Sequence, residues 1–401
     1  MKFTLLLIKV YKVNTNFYQD VIMSPLKLLL LAILAYTLSW FVGCQSEQKS
    51  EVHNSNQIEE AEIFDTTEIL RIEENEDRLF SALNHLHVTD EEHLLFVDAG
   101  QQFIYYFDME GNMLQKFGGE GSGPGEFERI GEVVLRNDEL LVYDLNQMRA
   151  TIFARDEHVN WAFKEDQSGM NISLGRFNTL WQRLHGGNVL YYERTTMDSP
   201  PASAEILESN IQYHIADSDF NQIQNEVLTR KSSGAIIRPF DGGGIQVFEY
   251  EYGQNEVLEV CPKGYIYTGH NDELTIYRID SNLDTLTVFN APRDPLPLSQ
   301  KTKDDLSGGD SEIKSLLPDY KPVFRELFIS DHNDVWVEIF TSEDEPNWII
   351  FDEKGQLSGR FSLDEKYTVH SIRGNQLYTI SEDEDGLPTV SVLEVDRNTS
   401  L

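Results

Sequence analysis

The strongest constraint on this chain is a strand-and-turn unit that returns along its length. Leu94–Phe127 (LLFVDAGQQFIYYFDMEGNMLQKFGGEGSGPGEF) reads strand, turn, strand, turn, strand, then a glycine-rich crossing. LLFVD and FIYYF are short and rich in β-branched and aromatic residues, and EGN between apolar runs is a turn because Gly and Asn tolerate positive φ. A turn followed by an apolar strand recurs with strands beginning at Leu94, Leu140, Val189, Tyr265, Val335 and Leu377, the widest gaps following Val189 and Tyr265. Asp98 matches Asp144, and Phe107 matches Phe153. Each of these strands is preceded by another apolar segment and followed by a second strand (FIYYFD, ATIFA, IQYHIA, LTIYRID, NWIIFD, VSVLEVD). Such a period calls for a repeat architecture.

Six four-stranded antiparallel meanders, innermost strand first, predict an all-β fold, a six-bladed β-propeller. The chain ends shortly after the third strand of unit six, while an unassigned strand, Glu68–Ile72, precedes unit one. That strand is expected to close the ring in the last blade and protect its open edge. The propeller is therefore assigned to residues 68–401. One helix is expected, over Ser299–Leu317.

The first 43 residues are not part of the fold. Met23 begins MSPLKLLLLAILAYTLSWFVGC, an apolar run after one Lys that ends on Gly43 and Cys44. The run suits a secretory signal better than a membrane span. It resembles a bacterial lipoprotein signal, in which Cys44 carries the lipid, although Phe41 stands where Leu is usual. Met1–Ile22 reads as an upstream extension. Residues 44–67 follow as the lipidated Cys and a polar tether. The expected location is the cell envelope, on a membrane through the lipid alone, at the periplasmic or cell-surface side. A net charge of −36 argues against nucleic acid or an anionic lipid surface as partner.

FDMEGNMLQKFGGEGSGPGEF resembles the six-bladed propeller family of NHL-like repeats common in secreted lipoproteins of Bacteroidetes-type bacteria. An F-D-x-x-G turn and a glycine-rich G-E-aromatic crossing map onto Phe107, Asp108, Gly111, Gly121, Gly123, Gly125, Glu126 and Phe127. Leu317–Val337, with Pro318, Pro322 and Trp336, is similar as well. The resemblance implies the propeller and transfers little chemistry.

Propeller topology sorts the loops by face. In a blade A-B-C-D the A–B and C–D turns share one face, and the B–C loops and D-to-A crossings share the other. The extra length lies on the second face: Arg194–Asn210, Lys164–Thr179, Thr229–Gln254 and Ala291–Lys321. Long loops gathered on one face of a rigid scaffold are where binding usually sits. They carry Arg194, Arg230, Lys231, Arg238, Phe240, Tyr250, Tyr252 and Arg293, the expected ligand-binding set for a small-molecule or protein ligand, polar or anionic. The leading expectation is a binding protein that needs no cofactor.

The alternative is a metal-dependent enzyme of the lactonase or lyase type, with Ca or Zn at the channel mouth. Glu132, Glu259, Glu326 and His370 lie on inner strands. Among the histidines, which include His85 and His87, His185 and His332 fall on the short-turn face, leaving His270 and His370 as the candidate pair. No H-x₃-H or C-x₂-C spacing supports zinc, and no G-x-S-x-G marks a nucleophile. The GGEGSGPGEF loop leads into a strand, where a phosphate cradle would need a helix.

Overall fold

In a computed structural model, residues 58–397 are described apart from 59, 77, 137, 157–159, 169–181, 185–187, 195–200, 218–221, 241–243, 262, 281–283 and 343–344. The signal segment, Cys44, most of the tether, His185 and most of the crossing after β10 lie outside the described residues, as does the side chain of Arg194.

The chain enters through β1 (Ile63–Phe64) and β2 (Thr66–Ile72) and then builds its blades in order. Blade one is β3 (Leu83–Val88), β4 (Leu94–Asp98), β5 (Phe103–Phe107) and β6 (Met113–Gly118). Blade two is β7 (Ile130–Arg136), β8 (Glu139–Asp144), β9 (Arg149–Arg155) and β10 (Trp161–Ser168). Blade three takes β11 (Gln182–Arg183), β12 (Val189–Arg194), β14 (Ser209–Ala216) and β15 (Gln222–Ser232), with β13 (Glu205–Ile206) leaving it. After β16 (Ala235–Phe240) and β17 (Gly244–Glu249), blade four is β18 (Glu256–Val260), β19 (Ile266–His270), β20 (Thr275–Ile279) and β21 (Thr285–Asn290). Blade five is β22 (Phe324–Ile329), β23 (Val335–Ile339), β24 (Trp348–Phe351) and β25 (Leu357–Phe361). Blade six is β26 (Thr368–Arg373), β27 (Gln376–Glu382), β28 (Pro388–Val395) and, as its outer strand, β2.

The expected closure is therefore present: β2 pairs antiparallel with β28 from Thr66↔Val395 to Ile72↔Val390. An unforeseen addition is β1, which lies parallel on the outer strand of blade five.

Each blade buries both faces, which is why its second strands read as unbroken apolar runs. All five residues of LLFVD are buried. Six hydrophobic cores each join two neighbouring blades. Leu95, Tyr106, Leu140 and Trp161 join blades one and two, and Phe289, Phe324 and Phe351 join four and five. Tyr378, Val390, Phe80 and Tyr105 complete the circuit between six and one.

The repeated aspartates have a structural task. Asp98, fully buried, accepts from the backbone N–H groups of Ser81, Ala82, Gly100 and Gln101 and from the Ser81 hydroxyl. Asp144 accepts from Glu128, Asn146 and Gln147 in the same way. Hydrogen bonds to a charged acceptor contribute roughly 1.5–3 kcal/mol each, so these two carboxylates tie the crossings into blades one and two to the turns beside them. The glycine-rich loop is such a crossing. Gly118 has φ 88°, and a Cβ there would stand 2.9 Å from the Gln102 carbonyl oxygen. Part of the acidic surplus thus serves as turn acceptors.

Three of the long segments are not loops. β13, β16 and β17 form a separate three-stranded sheet in the order β13-β16-β17, and the Ala291–Lys321 crossing contains two short helices. The single expected helix is split into α1 (Gln300–Ser307) and α2 (Ser311–Leu316). Gly308 ends α1 in the left-handed region at φ 58°, and Asp310 caps α2 through the Glu312 and Ile313 N–H groups. Ile236 and Phe248 of the side sheet pack on Ile313, Leu316 and Leu317. The insertions therefore share a small core of their own.

Candidate functional site

The inner strands of four blades break their pairing near their first residues. Register shifts fall between Asn84 and His87, Ile130 and Glu132, Phe324 and Glu326, and Val369 and Ser371. A β-bulge re-aims side chains. Each of these breaks lies where the strand leaves the long-loop face, and the residues at them are His85, Gly131, Arg325 and His370.

Beneath the side sheet, the blade-five bulge opens onto a cleft of ≈ 520 Å³. Its wall includes Tyr250, Glu249, Glu251, Asn255, Arg325 and Glu326. Two smaller cavities of ≈ 120 Å³ adjoin it, and Arg325 lines all three. The guanidinium donates to Glu338 at 2.8 Å and to Glu251 at 2.9 Å, and it lies 4.9 Å from the centre of the Phe340 ring. Burial pushes the Glu338 and Glu326 carboxyls up, although Glu326 keeps accessible surface in the cleft. The cleft is thus polar, with more carboxylate than cation.

Among the described side chains of the expected ligand-binding set, only Tyr250 lines this cleft and Tyr252 the cavity beside it. The Tyr250 hydroxyl donates to the Ser233 carbonyl at 2.8 Å. Tyr252 packs on Phe340, with the Lys321 ammonium 5.2 Å from its ring centre, and burial raises the pKa of its hydroxyl. Three of the described arginines are engaged elsewhere. Arg238 lies 5.0 Å from the Phe248 ring centre and bridges the side sheet to Asp310, the cap of α2. Arg230 donates to Thr268 at 3.2 Å and faces Glu256 at 3.6 Å. Arg293 donates to the Phe340 carbonyl at 3.3 Å. Phe240 stands exposed at the hairpin end, and Arg194 ends β12. Arg238 ties the two insertions together, Arg230 links β15 to blade four and Arg293 links the Ala291–Lys321 crossing to blade five, and none of the three lines the cleft.

The histidine pair also differs. His270 turns to Asp272. His370 comes within electrostatic reach of His85 and His87 on blade one, because ring closure sets β26 beside β3. His87 Nε2 is 3.1 Å from the Val133 carbonyl, and His85, at φ 49°, meets the Gly131 carbonyl. Burial holds His87 and His370 neutral, down to about 4, and lowers His85 as well. Glu132, beside them on blade two, is pushed up to about 7 by burial alone. Among the described residues, no three His, Cys, Asp or Glu side chains converge as metal ligands.

Sequence reasoning missed Arg325, Glu251 and Asn255. One signal was available: Arg325-Glu326 puts two charges in succession on an inner strand, where strict alternation admits one. Consecutive charges of that kind mark a bulge.

Several solved structures are similar to this chain over most of its length. A Bacteroides fragilis protein described as exported superposes with a TM-score of 0.53 at 14% identity, covering 83% of this chain and 96% of that one. A Bacteroides vulgatus protein of the duf4221 family (TM-score 0.44, 10% identity) covers 84% of this chain and 99% of that one. Virginiamycin B lyase from Staphylococcus aureus (TM-score 0.42, 9% identity) covers 82% and 99%. A search of curated proteins gave no match. A family model described as 6-bladed beta-propeller matches residues 43–276, more than half of the chain. With six blades, six interblade cores and that match, the chain belongs to the DUF5128 family of six-bladed β-propellers.

Proposed function

We propose that this protein is an extracytoplasmic binding propeller with NHL-like repeats, anchored through a lipid on Cys44, that holds a ligand or partner on its long-loop face. The observation that carries the reading is the ≈ 520 Å³ cleft between the side sheet and the blade-five bulge. The insertions above it have a packed core, so the site is formed before a ligand arrives, which lowers the ordering cost of binding. Glu249, Glu251 and Glu326 outnumber Arg325, which suits a polar ligand rich in hydrogen-bond donors or positive charge. The anchor reading is supported by the apolar run that ends on Gly43 and Cys44 and by a family match that begins at residue 43. Among the described residues, no helix is long and apolar enough to cross a membrane.

The Gly234 and Tyr250 backbones are hydrogen-bonded at 3.0 Å, so the hairpin between them can be excised and its ends joined by two glycines. Polyamines, amino acids and oligosaccharides would be screened by thermal shift on the full chain. Any ligand found should be lost on excision, with cooperative unfolding retained. A ligand that binds the excised chain undiminished would place the site elsewhere. Separately, Cys44→Ala should move the protein from the membrane to the soluble fraction on cell fractionation. Unchanged membrane association would refute the lipid anchor.

A further inference from the structure

Open strand edges are ready-made templates for another chain, and proteins blunt them with bulges, charge or cover. All six blade-closing strands of this propeller are blunted. Register shifts interrupt the pairing of β6, β10, β15 and β21. The β24–β25 pair is shifted and β25 is covered by β1, and β2 is shifted between Glu68 and Leu70. Lys116, Lys164 and Lys231 add charge to three of these edges.

β17 is built differently. It pairs with β16 through six successive residues, Ala235↔Glu249 to Phe240↔Gly244, without a shift. Its sequence, GIQVFE, contains no Lys, Arg or Pro. No described strand pairs with its outer edge. Val247, mid-strand, is 53% exposed, and Phe240 at the hairpin end is 54% exposed. Along one face, Ile245, Val247 and Glu249 alternate, and Glu249 continues into the cleft beside Glu251 and Glu326.

We propose that β17 is a docking edge for an extended, basic polypeptide segment, which joins the side sheet as a fourth strand. Main-chain hydrogen bonds to β17 would supply affinity, and alternate side chains would meet Val247 and the carboxylates at the cleft. Charge selects the occupant. The chain carries −36, so a second copy is repelled, whereas lysines or arginines on an incoming strand meet Glu249 and Glu251. This deepens the binding role proposed above and rests on the same face being the binding face.

A fluorescein-labelled octapeptide of alternating valine and lysine, titrated with the full chain and followed by anisotropy, tests this. It should bind at least about tenfold more tightly than the valine–glutamate or a proline-interrupted version, and more weakly as salt rises. Val247→Lys should weaken it by about tenfold or more through edge charge, while Val247→Thr retains binding and both variants melt as the wild type does. No binding by the lysine peptide, equal binding of the glutamate peptide, or indifference to Val247→Lys would overturn the proposal. So would a sedimenting dimer that Val247→Lys dissolves, which would make the occupant a second copy. Val247 does not line the cleft, so a cleft ligand should still bind Val247→Lys. Loss of the peptide with such a ligand retained separates this edge from the cleft. A ligand that survives hairpin excision counts against the cleft itself.

Discussion

A chain that begins after Ile72 is expected to lose its cooperative unfolding transition. Three buried side chains of the removed segment sit in three successive interblade cores. Ile58 packs between blades four and five, Phe64 between five and six, and Ile72 between six and one. Their relative exposures are 6%, 7% and 2%. Burying such a side chain contributes about 1.5–3 kcal/mol, so the three together approach the whole net stability of a domain, about 5–15 kcal/mol. Truncation also strips β28, whose Val390, Val392 and Val395 are fully buried, and leaves an apolar edge prone to aggregation. Thermal unfolding by circular dichroism reads the loss, and a synthetic peptide of residues 58–76 added in trans should restore the transition. A milder variant serves if the truncated chain precipitates. A Cβ at Gly359 would stand 2.2 Å from the Phe64 ring, so Gly359→Ala should displace Phe64 and lower the melting temperature. A truncated chain that melts near the wild-type temperature would show that the segment is not the clasp.

The ring was legible because its signals are local. Buried runs such as LLFVD, the aspartates that end them and the Gly-Asn turns each act within a few residues, and their recurrence counts the blades. Strand closure was legible from an unpaired strand at one end and a missing one at the other. The side sheet was not, because β13 and β16 are separated by all of β14 and β15, and two residues at Glu205–Ile206 carry no periodicity of their own. The ion pairs of the loop arginines were hidden for a related reason. Arg238 and Arg230 looked available because a one-dimensional reading cannot show which carboxylate lies across a fold, and in so acidic a chain Asp310 and Glu256 were at hand. His370 and His87 feel each other only because blade six returns to blade one.

That seam should set how stability responds to acid, with opposing signs that two variants separate. His87 and His370 titrate near 6.5 when unfolded and at about 4 when folded. Between those values the unfolded chain binds the extra proton, so each imidazole makes stability fall as pH falls, by about 1.4 kcal/mol per pH unit. His85 acts in the same direction. Glu132 does the reverse. Its carboxyl titrates near 4.5 unfolded and at about 7 folded, so the folded chain binds the extra proton in that window and stability rises as pH falls. From pH 6.5 to 4.5, Glu132 therefore offsets one of the imidazoles. Glu132→Gln should steepen the loss of stability on acidification by about 1.4 kcal/mol per pH unit, and His370→Gln should flatten it by a similar amount. Glu326 and Glu338, whose carboxyls are also raised, contribute equally to wild type and variants and cancel in the comparison. Urea unfolding at intervals across that range measures the slopes. If Glu132→Gln and the wild type run parallel, the Glu132 carboxyl is not held protonated by the channel wall. If the two variants shift the slope in the same direction, the imidazoles are not the neutral groups of the seam. Should both shifts appear with opposite signs, acid charges the imidazoles where the chain closes on itself, between blade six and blade one, where Arg373 reaches across to the Val88 and Thr89 carbonyls at 2.7 Å.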